Sequence, residues 1–409
     1  MLIARALLAK IRPPRLNPRE MQEQVDITRA AVLTSAYALA RQQQQQHQQQ
    51  HGHGDSEAYS YDMLEKEIEA MKPSARKRRT QIALNEQVVN YFALVHAAQN
   101  ATPPPGLLDT SGGSGGASPV EGLSCPGTEQ EGTTPTSATA SPSPSLSSTT
   151  TTLGAGTVVE REAERTAERK AVEAWRRKLL KEMLRSELGF NTLVKDSSLP
   201  GGGAGLGLFV EGSAAEGAVV AIYPGVVHLP EHLRSQKYAA ALLPDEEHFL
   251  MGRADGCLVD GRTAGLLPSS PLTFAHAANH PPKGEAANVL QVAYDYPALS
   301  DGDVGIAKGG RFPERLRPLV PNRYHRPPKA VFGGKLDQSA MVETVVLVAC
   351  RGGLHNQEVF MDYRFNPNMP HPDWYSPVDP TATDKMWAVG RGDGAARTIL
   401  DYSWFRRRS

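Results

Sequence analysis

Apolar and polar positions divide the chain into a helical first part, a low-complexity stretch and a second part made of short apolar runs. Over Gln22 to Arg41, Met63 to Met71 and Gln81 to Ala98, apolar residues recur at helical spacing. A further helix is predicted from about Val158. Glu160, Glu162 and Glu164 stand at its start and Arg176, Arg177, Lys178, Lys181 and Arg185 in its last turns, which complements the helix dipole. Val172, Trp175, Leu179, Met183 and Leu184 form its apolar face, which is expected to dock on a core, and Gly189 supplies the stop. From Asn191 to about Phe365 the helical period vanishes, and short apolar runs alternate with Gly, Pro and Asp, the pattern of many short strands. The most strand-like run is Thr344 to Cys350, apolar and β-branched as a strand buried on both faces would be. Arg351-Gly352-Gly353 then turns the chain into Asn356-Gln357-Glu358-Val359-Phe360-Met361-Asp362-Tyr363, which places a tyrosine at the exit of the strand pair. The fold class expected is mostly β within an α+β chain, several small β-sheets preceded by helical and disordered segments.

Composition changes this picture mainly between the helices. Gln42 to His53 is almost entirely Gln and His and cannot bury apolar surface, so disorder is expected there. Residues 101–157 are dominated by Ser, Thr, Pro and Gly and read as a linker. The predicted organisation is therefore 1–100 basic and helical, 101–157 linker, 158–190 docking helix, 191–366 a β domain and 367–409 a tail. Lys308 to Leu336, rich in Pro, Arg and Gly, reads as a loop inserted in the β domain.

Forty-four basic and 44 acidic residues give a formal net charge of +0, so no global attraction to nucleic acid or membrane is implied. Cys125, Cys257 and Cys350 are odd in number and far apart, which indicates neither a disulfide framework nor a thiolate zinc site and fits a reducing, intracellular compartment. No apolar run is long enough to span a bilayer, so the chain reads as soluble. Arg5, Lys10, Arg12, Arg15 and Arg19 precede the first acidic residue, Glu20, as in a mitochondrial presequence or a plain basic tail. Arg76-Lys77-Arg78-Arg79 reads as a nuclear-import signal, a phosphate-contacting patch or a solvated surface. The expected location is nucleus or cytoplasm, with the mitochondrion kept open.

Four stretches carry candidate chemistry. Gly203 to Val210 is a glycine-rich turn feeding a strand, where missing side chains let backbone groups approach a ligand. Val219 to Gly225 is a strand ending in Tyr223, either a capped core strand or the source of a channel-lining hydroxyl. Asn279-His280-Pro281-Pro282, with Asn288 beyond, offers donors and acceptors without fixed charge, or else an Asx-type turn before proline. His276 and His280 make a poor metal pair, because the prolines end any helix and no third ligand is evident. The fourth stretch is the one ending at Tyr363.

In that order these stretches resemble the SET-domain protein methyltransferase family. The similarity extends to Leu188-Gly189-Phe190, Ser197-Ser198-Leu199, Asp255-Gly256, Val259-Asp260-Gly261, Ala286-Ala287-Asn288-Val289 and Pro321-Asn322, from about Lys178 to Phe365. These words are most similar to the branch called SET domain-containing protein nine. The resemblance implies small sheets in which the Asn279-His280 and Tyr363 segments meet in a threaded, knot-like core. It implies S-adenosyl-L-methionine as cofactor, with Gly205, Leu206 and Gly207 holding its methionine portion, Asn279 and His280 its amino group and adenine, and Tyr363 beside it. Tyr363 and Tyr223 would line the channel of an acceptor lysine on a protein substrate, and no metal is required.

Transfer from a sulfonium needs a neutral amine in line and water kept out. A tyrosine of ordinary pKa is an indifferent base at neutral pH, so its value is positional. This chain departs from the family pattern where Asn356-Gln357-Glu358 replaces the usual Gly-Glu-Glu and Pro281-Pro282 replaces Ser and Cys. It also lacks the downstream cysteine triplet that binds a zinc flap, leaving Trp374-Tyr375 or Tyr402-Ser403-Trp404-Phe405 as channel closers or as surface packing. The alternative function is a SET-shaped module that binds a partner or cofactor without turnover.

Overall fold

A computed structural model describes residues 18–49, 60–105, 107, 155–200, 204–234, 242, 249–264, 270–300, 311–326, 340–367 and 370–388. The expectations for the basic amino terminus, for most of the 101–157 linker and for the Tyr402 to Phe405 tail lie outside these residues. The chain divides into two units, residues 1–100 with 179–409, and residues 101–178. Within the smaller unit the charged helix carries an Arg177–Glu173 ion pair one turn apart, and Arg176 donates to the Ala101 carbonyl.

The helices are α1 (Pro18–Gln49), α2 (Tyr61–Ala70), α3 (Pro73–Asn100), α4 (Ala155–Leu188), α5 (Pro230–Leu233) and α6 (Pro380–Ala388). Helix α1 runs through the glutamines to Gln49, so the disorder expected of Gln42 onward does not begin there. Glutamine is a good helix former, and propagation from an established helix adds one hydrogen bond per residue without a new nucleus. Helix α3 begins at Pro73, eight residues before the expected start, and takes in the basic cluster. Arg76 donates to Thr28 Oγ1, Arg79 to Ser35 Oγ and Glu67, and Lys77 lies 3.6 Å from Glu23. Three of the four cations thus tie α3 to α1 and α2. In α4 the buried pair in the larger unit is Leu180 and Leu184, one position off the expected Leu179.

The strands are β1 (Phe190–Asp196), β2 (Leu206–Ala214), β3 (Val219–Ile222), β4 (Gly225–His228), β5 (Leu250–Gly252), β6 (Leu258–Asp260), β7 (Val289–Pro297), β8 (Leu299–Ser300), β9 (Phe312–Pro313), β10 (Asn322–Tyr324), β11 (Ala340–Ala349) and β12 (Leu354–His355). They form small sheets in the orders β1-β2-β12, β10-β4-β6-β5, β3-β11-β7 and β8-β9. Among the described residues helix nevertheless outweighs strand, 47% against 23%, so the fold is α+β and not mostly β. The apolar face of a helix predicts burial without saying how much of the chain the helices will fill.

Strand β11 is central in its sheet, and Thr344 to Ala349 are buried throughout, as the apolar run implied. The outer strands of that sheet, β3 and β7, are closed by α3. Gln81 accepts from Asp295 N at 3.0 Å and donates to Ala293 O at 2.7 Å, while Gln87 accepts from Val219 N at 2.8 Å and donates to Gly217 O at 3.0 Å. Each glutamine replaces the neighbouring strand that an edge lacks. Beneath them Tyr91, Phe92, Tyr294, Tyr296 and Phe312 pack ring on ring, all almost fully buried. The Lys308 to Leu336 stretch is not simply a loop. Phe312 and Leu316 are buried in it, and Asn322–Tyr324 pairs in parallel with β4.

Candidate functional site

The segment from Asn356 to Tyr363 is sewn between two neighbours. On one side Val359 N donates to Leu208 O at 2.7 Å and Val210 N to Gln357 O at 2.9 Å. On the other, Met361 N donates to Asn279 O at 2.9 Å, and Asn288 holds Glu358 O and Phe360 N through its side chain at 2.8 and 2.7 Å. Val359 and Met361 are buried, which sets the register of the alternate side chains. Asn279 therefore sits in a parallel bridge with Phe360 and not in an Asx turn; the turn comes later, where Glu285 N donates to Pro282 O.

Glu358 lies at the centre, 3% exposed. Its Oε1 accepts from Ser197 Oγ at 2.8 Å and Asn279 Nδ2 at 2.9 Å, and its Oε2 from Ser198 N at 2.7 Å and Ser198 Oγ at 2.5 Å. Burial alone would raise this carboxyl, but the hydrogen bonds from Ser198, Asn279 and Ser197 outweigh it and hold the pKa below the ordinary value. The carboxylate rests on Gly207, where a Cβ would stand 2.2 Å from Glu358 Oε1 and 3.2 Å from Asn279 Nδ2. Gly207 is glycine because this cluster occupies the place of its side chain. Gly205 differs, with φ of +62° and open space around a Cβ. It turns the β1-β2 hairpin, closed by Ser197 N donating to Gly205 O at 2.9 Å.

Three acceptors, Ser197 Oγ, Leu206 O and Glu358 Oε1, surround Asn279 Nδ2 at 2.9 to 3.1 Å, which fixes the amide orientation chemically. Oδ1 then faces away, and among the described residues nothing donates to it. Leu206, whose carbonyl accepts from Nδ2, has a side chain 43% exposed. The amide thus keeps one acceptor oxygen without a donor among the described residues, and the hairpin keeps one exposed apolar side chain.

Tyr363 meets the same segment one step along. Its hydroxyl donates to Ala278 O at 3.2 Å, and its backbone N–H donates to His280 Nδ1 at 3.3 Å. Nδ1 accepts, so Nε2 is the protonated nitrogen and donates to Ser376 O at 2.8 Å. Burial pushes the Tyr363 phenol up to about 12. Around the pair stand Phe365, His371, Trp374 and Tyr375. Tyr375 lies 4.6 Å from His280 between ring centres, and Trp374, 58% exposed, meets Tyr363 edge-on at 6.0 Å. Trp374 and Tyr375 therefore pack on the candidate residues themselves.

Tyr223 is placed differently. It is 2% exposed, and its carbonyl accepts from Asn322 Nδ2 at 2.9 Å and Thr344 Oγ1 at 2.6 Å. Its ring meets His276 at 6.2 Å, and His276 meets the exposed Phe249 at 5.5 Å. The described contacts join Gly207, Leu206, Asn279, His280 and Tyr363 into one group, and Tyr223 meets His276, three residues before Asn279. A depression of about 530 Å³ borders Glu358, walled by Ser198, Phe209, Glu285, Asn288 and Phe360 among others; none of Gly205, Leu206, Gly207, Asn279, His280, Tyr363 and Tyr223 is in its wall. Among the described residues no cluster of His, Cys, Asp or Glu could hold a metal, and no helix is long and apolar enough to cross a membrane.

Sequence reading missed Ser197, Ser198 and Glu358 as site residues. Both stretches were part of the family resemblance, two serines before a glycine turn and an acid directly before the apolar run Val359 to Met361, but no role was read from these three residues. The chain matches no protein-family model and no curated protein.

Proposed function

We propose that the chain is a protein-lysine methyltransferase of the SET-domain type using S-adenosyl-L-methionine, with Asn279, His280, Gly205, Leu206 and Gly207 at the cofactor and Tyr363 and Tyr223 at the acceptor amine. The observation that carries this reading is the convergence of Gly207, Asn279 and Tyr363, three segments remote in sequence, on one backbone strip. A chain strung between β2 on one side and Asn279 and Asn288 on the other is also what a knot-like SET core requires.

The donor set fits the cofactor. Asn279 Oδ1 would accept from the α-ammonium, and the exposed Leu206 would cover aliphatic atoms. Bound there, the cofactor supplies a methyl group on a sulfonium. Tyr363, with its phenol near pKa 12, stays protonated at neutral pH and does not act as a base. Its proton goes to Ala278 O, which points the oxygen lone pairs elsewhere, free to accept weak C–H contacts from a methyl group. The apolar rings of Phe365, Trp374 and Tyr375 exclude water and disfavour an ammonium, so an acceptor lysine there loses its proton more readily. Tyr223, held rigid from β10 and β11, would form the inner wall of the acceptor channel.

The second reading is a binding module without turnover: the depression beside Glu358 reaches neither Tyr363 and Tyr223 nor Asn279, His280 and Gly205 to Gly207, so neither the acceptor channel nor the cofactor cleft is open at these residues. Calorimetry with S-adenosyl-L-methionine, followed by transfer of labelled methyl to lysine-bearing proteins, separates the two. The enzyme reading expects saturable binding and label on lysine, with Tyr363→Phe slowing transfer about a hundredfold while binding persists. Binding with no label on any protein, this one included, leaves the silent module; absence of binding removes both cofactor-based readings.

A further inference from the structure

The residue after Tyr363 is Arg364, and its φ of +53° lies in the left-handed region that a non-glycine residue rarely occupies. The turn is not maintained by its neighbours alone. Arg364 N donates to Asp362 Oδ1 at 3.0 Å, while the guanidinium reaches Asp26 in α1, 338 positions away, with Nη1 2.5 Å from Oδ2 and Nη2 3.1 Å from Oδ1. Asp26 is 4% exposed and also accepts from Gln22 Nε2 at 2.8 Å. Burial raises its pKa, and Arg364 is the main influence pulling the other way.

A buried carboxylate is costly, and an apolar pair would join the two elements at least as firmly. What the ion pair adds is direction, because a planar guanidinium meeting a carboxylate in two places fixes orientation as well as distance. The backbone it orients is the one that carries Tyr363. We propose that Asp26 is a positioning residue for Tyr363: through its two-pronged pair with Arg364, the first helix holds the turn that sets the phenol against Ala278 and His280. As a catalytic inference this rests on the methyltransferase reading, but the positional claim can be tested without it.

The test uses the full chain labelled with fluorotyrosine, with Tyr363→Phe to assign the Tyr363 signal in fluorine NMR. Asp26→Asn keeps the shape and removes the charge, and is expected to shift the Tyr363 signal and slow single-turnover transfer about tenfold, with cofactor affinity unchanged. Arg364→Ala should do the same. Arg364→Gly also loses the pair, but the left-handed turn costs glycine nothing, so the Tyr363 signal and most of the transfer rate should return. A merely structural pair would make Arg364→Gly as harmful as Arg364→Ala, and that outcome overturns the proposal. So does an unmoved Tyr363 signal in Asp26→Asn. If Asp26→Asn fails to fold, the Arg364→Ala and Arg364→Gly comparison decides the question. A wild type that transfers no methyl, with the signal moving as described, keeps the positional claim and removes the enzymatic one.

Discussion

Gly205 and Gly207 flank one leucine and are required for different reasons. Gly207→Ala drives a methyl into Glu358 Oε1, 2.2 Å from the new Cβ, with backbone on one side and a saturated carboxylate on the other. Neither can move without breaking hydrogen bonds, so a loss of about 3 kcal/mol in denaturant unfolding is expected, together with loss of cofactor binding. Gly205→Ala meets nothing and suffers only its left-handed φ, about 1 kcal/mol. Equal losses at the two positions would show that the Glu358 cluster is not what demands glycine. Glu358 itself sets a pH dependence. Its folded pKa lies below the ordinary 4.5, so its contribution is complete above that value and disappears as pH falls through the folded pKa. Glu358→Gln should lack that acid limb and lose about 3 kcal/mol at neutral pH, measured by unfolding across the acid range. Flipping the amide does not rescue it, because either orientation sets an NH2 against Asn279 Nδ2 or Ser198 N. At this scale Asn279, His280 and Tyr363 could be singled out as candidates because each stands beside a chain-breaking or strand-ending pattern. Glu358 could not, since four donors from two distant segments leave no mark around one acid in sequence.

Helices and strands were legible to the extent that each carries its own period. Strand β11 announced itself by seven consecutive apolar or β-branched residues, and the stop of α4 by Gly189. What the patterns did not contain was the partner of each face. The helices before residue 100 read as a separate amino-terminal region, yet Leu84, Val88 and Phe92 of α3 share one core with Ile222, Tyr294 and Val346 of the sheet. An apolar stripe asks to be covered without naming its cover. The same blindness applied to Gln81 and Gln87, which look like solvated helix surface and instead finish two sheet edges. Gln81→Leu leaves Ala293 O and Asp295 N without that partner, and a loss of about 2 kcal/mol is expected. Hydrogen exchange separates this from a general loosening: Asp295 N–H should lose protection in Gln81→Leu while Val219 N–H, held by Gln87, keeps it. Loss of protection at both would mean that α3 docks through its apolar face alone.

For the whole molecule the shared core predicts that the β region does not suffice for folding. Residues 1–100 and 179–409 belong to one unit, and residues 101–178 to another. A chain beginning at Leu179 would expose the ring faces that Tyr91 and Phe92 cover and the edges that Gln81 and Gln87 close. Removing Phe92 alone should cost about 4 kcal/mol, a large part of the margin of an ordinary domain. Residues 179–409 produced alone are therefore expected to aggregate or bind a hydrophobic dye, and residues 1–100 alone to show helix without cooperative melting. Produced together as two chains, they should form a one-to-one complex that melts in a single transition, because the apolar interface and the Asp26–Arg364 pair remain whatever joins the pieces. Size-exclusion chromatography with light scattering reads the stoichiometry. The Asp26→Asn complex should still assemble, since the ion pair orients one turn while the core supplies the affinity. A soluble, cooperatively folded 179–409 fragment would instead mean that the amino-terminal helices are an added layer, and the control of Tyr363 by Asp26 would then lie between separable parts of the protein.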